Sequence, residues 1–278
     1  MLKTFAVLIS FGLILNAQIP IGVGVYSAGS SNIPVVPDPT YALIKDEFVG
    51  GRVAPLGELG WDSTNAGAGT CSSLTPIAAV ASHPGLFRAR TTTSSGDGCS
   101  TSLASTNYSG AGITQIHNLG SSSSTTGWEF IFIWATDAAA VTTTAYFIGL
   151  GTTANSFLGG TGSIGIRSDT SATACGSGAD STTNWVFHAR SSSTNTCTDS
   201  GVAVAANTWY KLRITSTTLG TVNYELSTNG GAYTSPVSIS TNVPTVDLFP
   251  MFQVVTRTTA ARDLTIDYFA GWLKGLTR

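Results

Sequence analysis

Residues 207–227, NTWYKLRITSTTLGTVNYELS, alternate apolar and polar side chains on both sides of Gly220. Alternation with a period of two is typical of β-strands that bury one face, and β-branched and aromatic residues dominate both arms. The residues of the apolar parity are Tyr210, Leu212, Ile214, Val222, Tyr224 and Leu226. The stretch therefore predicts a β-hairpin with one apolar face, and that face needs a second layer of structure to cover it.

The opposite face of this hairpin is polar. Lys211 and Arg213 stand on one arm and Glu225 stands on the other, so we expect charge pairing across the strands on a solvated sheet surface.

The composition indicates an all-β protein with few charges. Only 10% of the 278 residues are charged and the formal net charge is -2, which excludes an electrostatic case for binding nucleic acid or an anionic membrane. No segment shows a sustained helical period with caps at its ends. The length allows one large β-domain, since sandwiches of roughly 200 to 250 residues are ordinary.

Three regions follow from the distribution of residue types. Residues 1–17, MLKTFAVLISFGLILNA, resemble a secretory signal peptide, and the alternative is an apolar arm that contacts a partner subunit. Residues 18–40 are rich in Pro, Gly and Ser and predict a linker or extended arm. Residues 41–278 hold the predicted strands and form the domain proper.

The segment WEFIFIWAT, which begins at Trp128, is apolar at both parities. A strand of this kind is typical of the centre of a sheet, where both faces are covered.

Four cysteines give a second indication of compartment. Cys71 and Cys99 form one sequence-local pair and Cys175 and Cys197 form another. Four cysteines allow three connectivities, of which we expect the local one. Their spacing does not suit zinc, no cofactor motif is present, and disulfides would agree with an exported protein.

A resemblance to a known superfamily rests on several segments in order. They are GELGW at Gly57, HPGLFRART at His83, WEFIFIW at Trp128, YFIGLG at Tyr146, DSGVAV and NTWYKLRI between Asp199 and Ile214, and LTIDYFAGW near the end. This succession resembles the concanavalin A-like lectin and glucanase jelly rolls, and more narrowly the non-catalytic members of bacterial exported proteins and bacteriophage structural proteins. The resemblance implies an antiparallel two-sheet jelly-roll sandwich, with glycans bound at one concave face or its rim in the binding members.

A glycosidase needs two carboxyl groups at a defined separation. The candidates are Glu129, the pair Asp263 and Asp267, and the adjacent Asp46 and Glu47. Parity with Leu264, Ile266 and Tyr268 as the buried face predicts that Asp263 and Asp267 point to solvent. We therefore expect a protein without catalytic residues.

Parity also selects the candidate glycan-binding residues. Arg167 on GSIGIRSD and His188 with Arg190 on NWVFHARS fall on one polar face if these two strands are neighbours. Guanidinium and imidazole donors suit hydroxyl-rich or carboxylate-bearing glycans, and Tyr146 is a candidate stacking ring. The competing interpretation is a solvated sheet face with scattered cations.

The two remaining histidines favour structural roles. His83, in a His-Pro-Gly segment, is expected to shape a turn with its ring bonded to the backbone, and His117 is interpreted in the same way.

The sequence thus favours a non-enzymatic recognition module that is secreted or displayed on a surface and binds a glycan or cell-surface polysaccharide. The alternative is a structural virion subunit, a phage decoration or fibre protein, whose N-terminal arm contacts other subunits in a homo-oligomer. A glycoside hydrolase with a rearranged acid pair is the third hypothesis. No cofactor, metal site or membrane span of the mature domain is expected.

Overall fold

The computed structural model describes residues 41–48, 59, 61–66, 71–103, 116–118, 127–153, 160–169, 181, 183–192 and 194–274. The predicted segments 1–17 and 18–40 lie outside these residues, so the export and virion hypotheses for the N-terminus stay predictions. The predicted domain boundary at residue 41 coincides with the start of the described chain and is not tested by it.

The described chain contains strands and no helix. In chain order the strands are β1 (Tyr41–Asp46), β2 (Asp62–Asn65), β3 (Cys71–Ile77), β4 (Leu86–Thr91), β5 (Gly98–Ser102), β6 (Ile116–Asn118), β7 (Trp128–Thr136), β8 (Thr144–Gly151), β9 (Gly162–Ser168), β10 (Asn184–Ser191), β11 (Thr194–Ala203), β12 (Trp209–Thr218), β13 (Thr221–Thr228), β14 (Val237–Ile239), β15 (Asp247–Thr256) and β16 (Asp263–Lys274). Within this part of the chain, no helix is long and apolar enough to cross a membrane.

Two antiparallel sheets form a sandwich, as predicted. The first sheet has the order β14-β13-β12-β7-β16-β4-β3, with β1 also paired to β16. The second has the order β11-β10-β9-β8-β15-β5-β2, with β6 paired to β15. Strands that are distant in sequence lie next to each other in both sheets, which is the connectivity of a jelly roll rather than of a meander.

The core between the sheets is dominated by aromatic rings. Trp61 contacts Phe252 with ring centroids 5.5 Å apart in a tilted arrangement and Phe269 with centroids 5.3 Å apart in an edge-to-face arrangement. These are the geometries that aromatic quadrupoles favour. Tyr224 adds a polar link between the sheets, since its hydroxyl donates to the carbonyl oxygen of His188 at 2.8 Å.

The hairpin predicted from residues 207–227 is confirmed as β12 and β13. All six side chains of the apolar parity are buried in the core, and Gly220 occupies the turn at φ 71°. In the register Arg213 stands opposite Glu225, and their side chains form an ion pair at 3.2 Å. Lys211 instead lies over the ring of Tyr233, with its Nζ 5.1 Å from the ring centroid.

Strand β7 lies at the centre of the first sheet, between β12 and β16, as its composition predicted. Trp128, Phe130, Phe132 and Trp134 point into the core. On the other face Ile131 and Ile133 are only half-buried. The apolar residues of the second parity therefore lie at an open surface of the sheet and not beneath a covering layer.

The C-terminal strand β16 departs from the predicted parity. A β-bulge interrupts its register with β7 between Ile266 and Tyr268, so that Leu264, Ile266 and Phe269 all face the core. The expectation that Tyr268 shares the buried face with Leu264 and Ile266 is wrong, because the extra residue of the bulge turns Tyr268 outward.

A disulfide joins the two sheets. Cys71 begins β3 of the first sheet and Cys99 lies in β5 of the second, and the predicted bond between them is present. Cys197 is disulfide-bonded as well. Its predicted partner, Cys175, lies outside the described residues.

The bond between Cys71 and Cys99 closes a loop with a sequence separation of 28 residues. We expect the double variant Cys71→Ser, Cys99→Ala to lose roughly 3 to 4 kcal/mol of unfolding free energy, because the open chain gains conformational entropy when unfolded. Urea denaturation without reductant measures the change. The same pair of proteins in dithiothreitol is the control, where the difference should shrink. Coincident midpoints without reductant would show that this bond adds nothing to stability.

Candidate functional site

The structure brings the predicted cationic residues together. Strands β9 and β10 are neighbours, with Val186 opposite Arg167 and Arg190 opposite Ser163. Arg167, His188 and Arg190 therefore share the face of the second sheet that points away from the core, as their parity predicted.

Burial contradicts the exposed recognition face expected from these residues. Arg167 and His188 are fully buried, and only Arg190 is partly exposed, where its Nε donates to the carbonyl oxygen of Ser192 at 3.2 Å. Strand parity selects a face but does not decide whether that face is open to solvent. Of the predicted cationic residues, Arg190 alone can meet a ligand from solution.

The stacking role expected for Tyr146 is wrong. Its ring lies in the core beside Trp185, with centroids 5.8 Å apart, and its hydroxyl accepts a hydrogen bond from the backbone N–H of Asp137 at 3.0 Å. Tyr146 belongs to the opposite parity of β8 from the outward-facing residues, so it holds a loop in place and cannot stack on a glycan.

His188 is a buried neutral imidazole. Burial, reinforced by the nearby charge of Arg167, lowers the pKa of His188 to about 3, although a hydrogen bond to Asn195 opposes the shift. Its Nε2 lies 3.2 Å from Oδ1 of Asn195, an acceptor, so Nε2 carries the proton. This histidine is a fixed structural donor at neutral pH.

An open groove lies on the other side of the molecule, on the outer face of the first sheet. Strand β4 pairs with residues 263–266 of β16, and β1 pairs with residues 269–274. The two strands therefore meet the same side of β16 end to end, and Asp267 and Tyr268 lie at the junction between them. The bulge of β16 falls at this point. Bulges next to functional sites redirect side chains, and here Asp267 and Tyr268 both line the groove.

This outer groove has a volume of about 440 Å³. The remaining lining side chains are Glu47, Ser82, Pro84, Ile131, Ile133 and Lys211. Ile131 and Ile133 of β7 provide an apolar floor, while Lys211, Asp267 and Glu47 supply polar groups around it. An apolar surface with a few convergent polar groups is the usual composition of a small-molecule site.

His83 crosses the edge of the groove. Two backbone hydrogen bonds between Val80 and His83, of 3.2 and 2.9 Å, close a tight turn over Ala81 and Ser82. The ring Nδ1 contacts Oδ2 of Asp267 at 2.6 Å, and the ring stacks on Trp209 with centroids 3.7 Å apart and planes 8° from parallel. The turn was predicted, but the ring bonds a carboxylate and an indole face rather than the backbone. For the other histidine in question, His117, the side chain lies outside the described residues.

Asp267 is not the solvated acid that its parity predicted. It is 7% exposed, and burial raises its pKa while the contact with His83 opposes that shift. Partial burial also raises the pKa of Tyr268. Asp263 is paired as well, since Nε and Nη2 of Arg90 each donate to one of its carboxylate oxygens at 2.6 Å.

The spacing of these acids does not suit glycoside hydrolysis. Asp263 and Asp267 are four residues apart on β16. Glu129 is four residues from Ile133 on β7, and Ile133 stands opposite Tyr268, the neighbour of Asp267. Each separation is about 13 Å at 3.3 Å per residue, beyond the roughly 5 to 9.5 Å that the two hydrolytic mechanisms require. The carboxylate of Asp46 accepts hydrogen bonds from the backbone N–H groups of Phe48 and Leu59. Of the candidate acids, only Glu47 lines the groove together with Asp267.

Two signals in the sequence point to this groove. One is the step of three residues from Ile266 to Phe269, which breaks the period of two and marks the bulge. The other is the pair Ile131 and Ile133, which makes β7 apolar on its outer face as well as on its core face. No signal within a single strand predicts that His83 reaches Asp267, because the two residues are 184 positions apart. Among the described residues no group of three or more His, Cys, Asp or Glu side chains is placed to hold a metal ion.

The low pKa of His188 predicts a loss of stability in acid. The unfolded imidazole, with a pKa near 6.5, binds a proton that the folded protein excludes down to about pH 3. Unfolding free energy therefore falls as the pH drops below about 6.5, by an amount on the order of 2 to 3 kcal/mol at pH 4.5. In urea denaturation at pH 7.5 and 4.5, the fall in unfolding free energy between the two pH values should be smaller by this amount in His188→Gln. The control His83→Gln should show the same fall as the wild type. Equal pH dependence in wild type and His188→Gln would contradict the assignment.

Comparison with known proteins locates the fold and not the activity. No protein-family model matches the chain, and no curated protein matches its sequence. A protein of unknown function from Shewanella oneidensis MR-1 superposes with a TM-score of 0.59 at 14% identity, covering 86% of this chain and 89% of that one. Peanut lectin gives 0.52 at 12% identity, with 86% and 99% covered. A beta-1,3-glucanase from Mycobacterium marinum gives 0.50 at 10% identity, with 82% and 97% covered.

These similarities extend over most of the chain and most of each solved structure, and they agree with the two antiparallel sheets described above. The chain has the concanavalin A-like jelly-roll fold.

Proposed function

We propose that this protein is a non-enzymatic carbohydrate-binding module and that the outer groove is its binding site. The observation that carries the proposal is the bulge of β16, which turns Asp267 and Tyr268 together into a groove with an apolar floor. A bulge at the centre of a sheet disrupts the ladder locally, and here its extra residue contributes to the lining of an open site.

The chemistry of the groove suits a sugar ring. The apolar face of a pyranose packs on aromatic and aliphatic surface, which Tyr268, Ile131 and Ile133 provide. Its hydroxyls both donate and accept hydrogen bonds, so they pair with the ammonium of Lys211 and with the carboxylates of Asp267 and Glu47. The groove offers both kinds of contact within one volume of about 440 Å³.

The structural neighbours support carbohydrate as the ligand class. Peanut lectin is by name a lectin, and the enzyme from Mycobacterium marinum is by name a β-1,3-glucanase. Fold alone does not determine function, so the proposal depends on the groove and takes only the ligand class from these proteins.

A binding role fits the carboxylates better than hydrolysis. Asp267 is about 13 Å by strand register from Asp263 and from Glu129. Asp263 and Asp267 are each paired with a cationic or imidazole partner. Export or surface display is part of the proposal. The disulfide between Cys71 and Cys99 supports it, because such bonds persist in oxidising compartments.

Affinity electrophoresis through gels that contain β-1,3-glucan, mixed-linkage glucan, xylan, mannan or polygalacturonate tests the proposal. We expect at least one polymer to retard the wild type and Tyr268→Ala to weaken that binding at least about tenfold, the equivalent of ~1.4 kcal/mol. Trp272→Ala is the matched control, because Trp272 is a half-buried aromatic on the outer face of the same strand but does not line the groove.

Two results would overturn the proposal. Equal retardation of wild type and Tyr268→Ala would place the binding site elsewhere. Release of reducing sugar from any of these polymers, lost in Asp267→Asn and in Glu47→Gln, would make the groove a hydrolytic site.

A further inference from the structure

A second depression adjoins the outer groove. Its volume is about 350 Å³, and its lining includes His83, Trp209, Asn229 and Gly230. Ser82, Ile133 and Lys211 line both depressions, so the two share a floor and a boundary. Asp267 and Tyr268 belong only to the first, and Trp209 only to the second. The outer groove is thus one half of a longer, divided surface.

The divider between the two halves is the turn that carries His83. Its ring is fastened on one side to Asp267 at 2.6 Å and on the other to the indole of Trp209 at 3.7 Å, while two backbone hydrogen bonds to Val80 close the turn. Ser82, at φ 71°, stands exposed at the tip. A turn held at three points is a fixed feature of the surface, so a ligand has to pass it rather than displace it.

The strand register gives the length of the divided surface. The first depression extends to Ile131, and the second reaches Trp209, which stands opposite Ala135. Four residues of β7 separate these levels, a distance of about 13 Å. Lys211 stands opposite Ile133, midway between the two ends. Tyr268 also stands opposite Ile133, on the other side of β7 from Lys211. The two aromatic side chains therefore lie diagonally across β7, and Lys211 lines both depressions between them.

The charges that line this surface already have partners within the protein. Asp267 contacts His83, Glu47 pairs with Lys45 at 2.8 Å, and Lys211 lies over the Tyr233 ring. A charged ligand would have to compete with these contacts, whereas a neutral polyhydroxylated chain adds hydrogen bonds without displacing them. The electrostatics favour a neutral ligand.

We propose that the two depressions are consecutive subsites for an unbranched neutral oligosaccharide, with Tyr268 in one subsite, Trp209 in the other and Lys211 at their junction. This inference rests on the proposed carbohydrate-binding function. It adds a minimum length, since a single sugar unit occupies only one side of the His83 turn. Two linked binding events raise the affinity of a chain above that of either unit alone.

Isothermal titration calorimetry with oligomers of one to six units tests the subsites. The probes are β-1,3-linked glucose, β-1,4-linked glucose and β-1,4-linked mannose, with galacturonic acid oligomers as the charged counterpart. In at least one neutral series we expect the trimer to bind at least tenfold more tightly than the monomer, with little further gain beyond four units. Galacturonic acid oligomers should bind more weakly than the neutral series at low salt.

Single substitutions distinguish the contributions of the two proposed subsites. Trp209→Ala should abolish the gain in affinity with length while leaving the weak binding of the monomer in the Tyr268 subsite, and Trp272→Ala should preserve both. Because the length series on the wild type needs no substitution, the inference is tested even if Trp209→Ala fails to fold.

The outcomes distinguish this inference from the function on which it rests. If the wild type is retarded by a neutral polymer but binds its monomer as tightly as its hexamer, the divided site is wrong and the binding function stands. If the galacturonic acid series binds most tightly, the neutral ligand class is wrong. If no polymer retards the wild type and no oligomer binds, both the proposed function and the subsites are wrong.

Discussion

The bulge in β16 is the constraint on which the candidate site depends. Leu264, Ile266 and Phe269 all have to reach the core, and a regular strand cannot place residues two and then three positions apart on one face. One extra residue resolves the conflict, and its consequence is that Asp267 and Tyr268 face outward together. Because β4 and β1 meet β16 end to end at the same level, the sheet surface is open at that point. The groove thus follows from how the core is filled.

The two outer faces of the sandwich carry polar residues of different kinds. On the second sheet Arg167 and His188 are buried, and the imidazole is held neutral by desolvation and by the neighbouring guanidinium. On the first sheet the charged residues lie at the surface and pair with one another, as Arg213 does with Glu129 at 3.1 Å and with Glu225 at 3.2 Å. The buried cluster contributes to the scaffold, while water screens the exposed ion pairs, which therefore add little stability.

Links between the sheets make the sandwich a rigid support for the groove. The disulfide from Cys71 to Cys99 and the hydrogen bond from Tyr224 to the carbonyl oxygen of His188 both connect the first sheet to the second. A third link is made by Tyr210, near the start of β12, whose hydroxyl donates to the carbonyl oxygen of Ala203 at the end of β11 at 2.9 Å. Trp209 is adjacent to Tyr210 in β12. Because Tyr210 is fixed in the core, the backbone that carries the indole stacked on His83 is held in place. A site of this kind is preorganised, which lowers the entropy cost of binding.

The class of fold and most of the strands can be predicted from the sequence. Alternation in β12 and β13, the apolar composition that places β7 at the centre of its sheet and the local pairing of Cys71 with Cys99 are all short-range patterns, and each is confirmed. The expectation that both faces of β7 are covered is wrong, since Ile131 and Ile133 are half-buried. The adjacency of β9 and β10, on which the choice of Arg167, His188 and Arg190 depends, is present in the structure. Parity along a strand is a local property, which explains why it placed Arg167 and His188 on the correct face.

Which face of each sheet is open to solvent depends on tertiary packing and cannot be predicted from strand patterns. Exposure depends on what packs against a sheet, and strand parity holds no information about that, so the sequence does not predict the burial of Arg167 and His188. Tyr146 is a different case, because its parity on β8 is that of the core. The contact between His83 and Asp267 joins residues 184 positions apart, and the junction of β1 with β4 brings together strands that have two others between them in the chain. These proximities arise from the order of strands in the sheet, which is a collective outcome of burying every apolar face at once.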